Sequence, residues 1–473
     1  MEKQVYDYGM IGLGTMGRNL VYNMCDHGYS VAGYDKDISM VETMEQGKGN
    51  YKIFGARDVE ELTEALKKPR VLLLLVPAGP IVDAVIESLK PLLSKDDLLI
   101  DCGNSHFTDT NLRIEKLAKE NINFIGVGIS GGEYGARNGP SIMPGGSKEV
   151  YARVAPMLEA ISAKAKGEPC VTYLGKGSAG HYVKMVHNGI EYALMEIIAE
   201  AYQLLKQGAG LTNNQLHDIF FKWNEGPLQS FLISITSDIF KQKDDLTGND
   251  LVDMILDSAH QKGTGAWTTE DAMALQVPVP VIDISVSMRN ISALMVERQT
   301  AEKVLGGSNS KINYSNDELV DALGHALNFA IITIFAQGME LLHYASNVYK
   351  YDLNLENIAA IWREGCIIRA SVLEDIRTAF AMQPTLSNLM LSGVFKERLG
   401  GLQENARQIA RIGLDTGIPL PAFMASVAYY DSYRSGWLPD NLLQAQRDYF
   451  GAHTYERTDR EGIFHTQWNQ TQS

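Results

Sequence analysis

The sequence predicts an α/β fold: a Rossmann-type, doubly wound N-terminal domain, then a large all-α C-terminal domain and a C-terminal tail. Three observations carry this. Short apolar runs alternate with helical stretches up to about residue 130, a GxGxxG motif follows the first of those runs, and long helical stretches begin after about Gly180. The divisions fall at 1–179, 180–436 and 437–473.

The strand-like runs are, in order, "YDYGMIGLG", "SVAGYD", "RVLLLLVP", "DLLIDCGN" and "NFIGVGIS". They are apolar throughout rather than alternating, as parallel strands covered on both faces must be. The motif "GLGTMG" comprises Gly12, Leu13, Gly14, Thr15, Met16 and Gly17. Its first glycine permits a tight turn, its second lets the backbone approach a pyrophosphate, and its third lets helix pack closely on strand, so this turn is the expected dinucleotide cradle. Asp35 ends the second run where an acidic ribose ligand is expected. Its carboxylate can accept from the free 2'-hydroxyl of NAD and repels the 2'-phosphate of NADP. With Lys36 and Asp37 beside it the segment favours NAD, and NADP is admitted only if Lys36 neutralises the phosphate.

Helices are expected over 181–207, 215–240, 285–305 and 317–348. "VLLLLV" (71–76) reads as a buried strand and "FAIITIF" (329–335) as part of a buried helix, so no run approaches the ~18 apolar residues of a membrane span. The stretch 192–205 matches 329–342 at Ala193 and Ala330, Ile197 and Ile334, and Ala199 and Ala336. This reads as a weak internal duplication or as chance likeness between apolar helices. In that alignment Lys184 and Glu191 fall on Asp321 and Asn328, so only the first copy carries chemistry.

That chemistry lies in "KMVHNGIEY" (184–192). At 3.6 residues per turn, Lys184, His187, Asn188 and Glu191 share one face and form a polar stripe in apolar surroundings. The tail is polar yet studded with aromatics, which suits docking on another surface better than disorder.

The net charge of −15 and pI near 5.2 argue against a nucleic-acid surface, because phosphate neutralisation needs clustered Lys and Arg. Cys25, Cys102, Cys170 and Cys366 form neither a metal-ligand spacing nor a disulfide framework, and the first residues carry no apolar leader. A reducing cytoplasm, with no membrane attachment, is the expected setting.

The chain resembles the 6-phosphogluconate dehydrogenase family over nearly its whole length. The matching pieces are "GLGTMGRNL" (12–20), "DCGNS" (101–105), "SGGEYGARNGPSIMPGG" (130–146), "KMVHNGIEY", "DSAHQKGTGAWT" (257–268) and "LLQAQRDYFGAHTYE" (442–456), in the family's order. The resemblance implies metal-free oxidative decarboxylation of 6-phosphogluconate to ribulose 5-phosphate and carbon dioxide, with reduction of a nicotinamide nucleotide. It casts Lys184 as base and then acid, and Glu191 as the acid that protonates C1. Asn104, Ser130, Gly131, Gly132, His187 and Asn188 match residues that hold the sugar acid. Tyr192, Lys262, Thr264 and Arg289 match the phosphate site, and Val76 and Asn104 join the nucleotide site. Arg447 and His453 match residues supplied by the neighbouring subunit, so a homodimer is implied.

The chain departs from the family pattern in four places. Asp35-Lys36-Asp37 replaces an Asn-Arg-Thr-like segment suited to NADP; His106 stands where an acidic residue is common, Tyr134 where a glutamate is common, and Ala266 where a lysine is common. Two other readings remain open at this point: a shorter-chain β-hydroxyacid dehydrogenase acting on another hydroxy acid, and a non-catalytic nucleotide sensor. The intact stripe opposes the sensor, and the long helical domain opposes the shorter enzymes.

Overall fold

The computed structural model describes residues 5–261, 263–307 and 311–468. The N-terminal part is built from β1 (Tyr8–Ile11), α1 (Thr15–Asp26), β2 (Val31–Tyr34), α2 (Ile38–Gln46), β3 (Ile53–Gly55), α3 (Val59–Glu64), β4 (Val71–Leu74), α4 (Pro80–Leu89), β5 (Leu98–Asp101) and α5 (Phe107–Ala118). It continues through β6 (Asn123–Ser130), α6 (Gly132–Asn138), β7 (Ser141–Pro144), α7 (Lys148–Ile161) and a small hairpin of β8 (Lys164–Ala165) and β9 (Glu168–Pro169).

The seven-stranded sheet runs β3-β2-β1-β4-β5-β6-β7, and only β7 is antiparallel to its neighbour. Successive strand residues feed opposite cores, which is why these runs carry no polar alternation. Met10, Leu73 and Ile100 pack under α1, α2 and α7, while Ile11, Leu72, Leu74 and Leu99 pack with residues of α3, α4 and α5. The strand order reverses between β1 and β4, and ligands in such sheets bind at the carboxyl ends beside that reversal. Strands β3 and β7 were not among the expected runs; β3 has only three residues, and β7 is bounded by Ser141 and Pro144 within a glycine-rich stretch.

The helices that follow are α8 (Ala179–Gln203), α9 (Asn213–Asn224), α10 (Phe231–Ile239), α11 (Thr264–Ala274), α12 (Pro280–Ala293), α13 (Met295–Leu305), α14 (Asn316–Tyr349), α15 (Leu355–Ile361), α16 (Val372–Met382), α17 (Gly393–Thr416) and α18 (Pro421–Tyr433). Two expected helices are broken. The 215–240 stretch divides at Glu225–Gln229, where Pro227 intervenes and Ser230 caps α10 through the Ile233 amide. The 285–305 stretch divides at Leu294 and starts earlier, at Pro280. Helix α14 corrects the expectation that nothing reaches membrane-spanning length. Its 34 residues are long and apolar enough by composition, but 72% of its most apolar window is buried inside the protein, where it packs along α8 and α17.

The chain divides into two compact units, up to Ser426 and from Val427 onward. The second contains α19 (Asp440–Gly451) and a hairpin of β10 (Tyr455–Glu456) and β11 (Ile463–Phe464). Its centre is polar. Asp448, fully buried, accepts hydrogen bonds from the Thr454 amide at 2.9 Å, His465 Nδ1 at 2.9 Å, the Thr466 amide at 3.0 Å and Trp468 Nε1 at 2.9 Å. Burial opposes ionisation there, but these donors outweigh it and hold the carboxyl well below its ordinary range.

Candidate active site

At the nucleotide end, Gly12 has φ +95°, and a side chain there would collide with the Leu75 carbonyl that follows β4. Gly14 faces open space, and α1 starts behind it with no side-chain cap and no acidic residue in its first turn. The first amides of α1 are therefore free to face an anion, which is what a pyrophosphate requires. Asp35 is fixed on this turn: Oδ2 accepts from the Leu13 amide at 2.7 Å and Oδ1 from the Asp37 amide at 3.0 Å. Asp37 is itself held as the α2 cap by the Ser39 amide and hydroxyl, while Lys36 is exposed. Val76, at the end of the β4 run, borders the same turn, its Cγ1 lying 3.1 Å from the place a Gly12 side chain would occupy. Thr15 and Met16 open α1, and Asn104 is exposed in the loop after β5.

The stripe on α8 is real. Lys184, His187 and Asn188 are buried and Glu191 is half-buried. Burial pulls the Lys184 ammonium below its ordinary value, against the opposing charge of Glu191. Burial pushes the Glu191 carboxyl up, against Lys184 and Arg289. The two groups are thus displaced toward a neutral amine and a protonated acid. Helix α8 lies against bare backbone of β6: a side chain at Gly128 would overlap Lys184 Cβ, and one at Gly126 would come within 2.7 Å of His181 Nδ1.

His187 is neutral, because burial and the nearby Lys184 lower it well below its ordinary value despite its bond to Asn188. Its hydrogen bonds then run in one direction. The Ile367 amide donates to Ser130 Oγ at 3.4 Å, Ser130 Oγ donates to His187 Nε2 at 3.2 Å, and His187 Nδ1 donates to Asn188 Oδ1 at 3.0 Å. Asn188 Nδ2 in turn donates to Thr264 Oγ1 at 3.1 Å. Gly131, at φ +127°, is forced to be glycine because the Gly365 carbonyl sits where its side chain would be; Gly132 follows at φ +62° and opens α6.

Tyr192, Thr264 and Arg289 also converge. The Arg289 guanidinium on α12 stacks 3.5 Å from the centre of the Tyr192 ring on α8, and Gly265 beside Thr264 is bare because that ring fills the space of a side chain. Lys262 lies outside the described residues. Arg447 and His453 belong to the second unit, where both are exposed and Arg447 donates to Gln444 Oε1 at 3.2 Å. His106 caps α5 through the Thr108 amide and meets Trp267 edge to face at 4.9 Å; Tyr134 is exposed.

Sequence reasoning missed the loop after α15. Trp362, fully buried, sets its ring against His187 at 5.7 Å and accepts from Cys366 Sγ through its carbonyl, while Gly365 and Ile367 press on Gly131 and Ser130. Only the buried-type run "CIIR" hinted at it, and nothing local told which residues it would face.

The nucleotide half, residues 7–175, matches the family model for the NAD binding domain of 6-phosphogluconate dehydrogenase, and residues 180–468 match the model for the 6-phosphogluconate dehydrogenase C-terminal domain. The chain is 50% identical to the NADP(+)-dependent, decarboxylating 6-phosphogluconate dehydrogenase of Bacillus subtilis over 99% of its own length and 100% of that relative. It is also 50% identical to the decarboxylating 6-phosphogluconate dehydrogenase of Escherichia coli, over the same shares. The solved Plasmodium falciparum 6-phosphogluconate dehydrogenase, described in apo form and in complexes with its cofactor NADP+ and its substrate 6-phosphogluconate, superposes with a TM-score of 0.94 at 43% identity, covering 98% of this chain and 100% of that one. With both halves matched and the relatives covered end to end, this chain belongs to the 6-phosphogluconate dehydrogenase family.

Proposed function

We propose that this protein oxidatively decarboxylates 6-phosphogluconate to ribulose 5-phosphate and carbon dioxide, with Lys184 and Glu191 as its acid–base pair. Bound at the Gly12–Gly17 turn, the nicotinamide nucleotide would accept the hydride leaving C3. Lys184, entering neutral, takes the proton of the 3-hydroxyl; a free lysine at ~10.4 would be too protonated at neutral pH, so its lowered value is what the step needs. Now charged, Lys184 donates to the keto oxygen, which draws electrons from the breaking C1–C2 bond as carbon dioxide departs. Glu191, whose carboxyl burial pushes up, delivers a proton to the former C2, which becomes C1 of ribulose 5-phosphate. Seven residues of helix separate the two by ~10 Å along the axis, so each serves a different carbon. Ser130, Gly131, Gly132, Asn104, His187 and Asn188 would hold the sugar acid, and Tyr192, Thr264, Arg289 and Lys262 its phosphate.

The observation that carries this reading is the placement of buried Lys184 and half-buried Glu191 on one face of α8, where burial moves the amine down and the carboxyl up. Lys184→Met should lower kcat by about 10²–10⁴-fold while nucleotide affinity stays unchanged. Turnover close to that of the unsubstituted enzyme would remove Lys184 from the mechanism.

For the nucleotide, the proposal is a preference for NAD over NADP. It rests on Asp35, which cannot swing away because two backbone amides hold it, and on Asp37, held as a helix cap; a 2'-phosphate would face two fixed carboxylates and one exposed lysine. Initial rates with both nucleotides in parallel test it, and Asp35→Asn should move the NADP/NAD ratio of kcat/KM upward by about tenfold, ~1.4 kcal/mol. A ratio favouring NADP in the unsubstituted enzyme would overturn the preference and keep the reaction. We further propose a homodimer in which Arg447 and His453 complete the partner's site, and a cytoplasmic setting, in keeping with four free thiols.

A further inference from the structure

Helix α8 carries a second buried histidine that the proposed chemistry does not use. His181 is one turn before Lys184, 2% exposed, and both its ring nitrogens are engaged. Nε2 lies 3.0 Å from the carbonyl oxygen of Asp101, the last residue of β5, and Nδ1 lies 2.7 Å from Thr110 Oγ1 on α5. A carbonyl can only accept, so Nε2 carries the proton; in the neutral ring Nδ1 then accepts from the Thr110 hydroxyl, whose single proton favours this 2.7 Å contact over the 3.2 Å one to the His106 carbonyl. Asp101 is at the same time the centre of the loop that carries Asn104. Its carboxylate accepts from the Gly103 amide at 3.0 Å and Ser105 Oγ at 2.6 Å, and Arg113 lies 3.5 Å away. Arg113 continues to Asp83 on α4 through two bonds of 2.8 and 3.1 Å, and to the Gly79 carbonyl in the loop that follows Val76. One residue thus ties its side chain to the nucleotide-facing loops and its main chain to the helix of the base.

We infer that His181 is a positioning residue for hydride transfer: it clamps the Lys184 turn of α8 to the Asp101 end of β5, so that the base and the Asn104 loop keep a single separation. The inference rests on the dehydrogenase reading above. The absence of room for any side chain at Gly126 or Gly128 supports it, because α8 then has no compressible layer through which to drift against β6.

The test uses the full-length enzyme, 6-phosphogluconate with protium or deuterium at C3, and three variants. In His181→Gln the amide can still donate to the Asp101 carbonyl; in His181→Asn it is too short; Thr110→Val removes the Nδ1 partner together with that hydroxyl's 3.2 Å approach to the His106 carbonyl. His181→Asn should lose about 10- to 100-fold in kcat with a larger deuterium isotope effect and unchanged nucleotide affinity, whereas His181→Gln should stay within about fivefold. Thr110→Val, nearly the same shape, should lose about two- to fivefold, also with a raised isotope effect. A mere loss of folded enzyme would lower kcat in every variant with the isotope effect unmoved. That result, equal losses in Asn and Gln, or an unaffected Thr110→Val would overturn the inference. Absence of turnover in the unsubstituted protein would instead overturn the dehydrogenase reading and this inference with it.

Discussion

Lys184 and Glu191 make the same physical point from opposite charges: burial penalises whichever form is ionised, so it lowers the amine and raises the acid. Activity needs a neutral Lys184 and a protonated Glu191, so the rate should rise with pH as the lysine loses its proton and fall as the glutamate loses its own. The bell's two apparent values belong to the pair. Glu191→Gln should leave only the rising limb in a kcat/KM profile, at reduced rate; a profile that keeps its falling limb would show that another group supplies the acid. The stripe itself was legible in the sequence because helix periodicity alone places residues 184, 187, 188 and 191 together. Trp362 and Cys366 were not, since their interactions with α8 span about 180 residues of chain and leave no local period. Asp35 stands between these cases: its position after β2 was legible, but its clamp on the Leu13 amide needed the folded turn.

At the scale of elements, the long runs were read correctly and the short or interrupted ones were not. Strands β1, β2, β4, β5 and β6 are apolar enough to announce themselves, while β3 has only three residues and β7 is bounded by Ser141 and Pro144, and the breaks at Pro227 and Leu294 interrupt patterns that stay apolar on both sides. Helix α8 illustrates what an element adds beyond its pattern. Nine residues beyond Glu191, Glu200 accepts from the Ala422 and Phe423 amides at 2.6 and 3.0 Å and so caps α18 from a distance. Burial pushes its carboxyl up to about 8, Glu196 adds to this, and the two amide bonds only partly offset it. Its folded value therefore lies above the ordinary ~4.3, so the fold binds the proton more tightly than the unfolded chain does and stability falls as pH climbs from that value toward about 8. Thermal midpoints measured from pH 5 to 9 should decline in the unsubstituted protein, and Glu200→Gln should flatten that decline. Parallel slopes would assign the decline to other groups.

For the whole molecule, the sequence announced a tail distinct from the body but not its internal design. Whether that tail serves a neighbour is open to a mixing experiment. Lys184→Met and Arg447→Ala chains, each impaired alone, should regain about a quarter of normal activity at low substrate when co-refolded, because half the pairs are mixed and each mixed pair has one intact site. No recovery would mean that both residues serve the same chain. The tail's centre has a further consequence. A carboxylate held below its ordinary range stabilises only while ionised, and that contribution disappears as pH falls; a carboxyl held above its range does the reverse. Acidification therefore acts on the two in turn: the join between α8 and α18 tightens as pH falls from about 8 toward the ordinary carboxylate range, and only below that range does the C-terminal unit loosen.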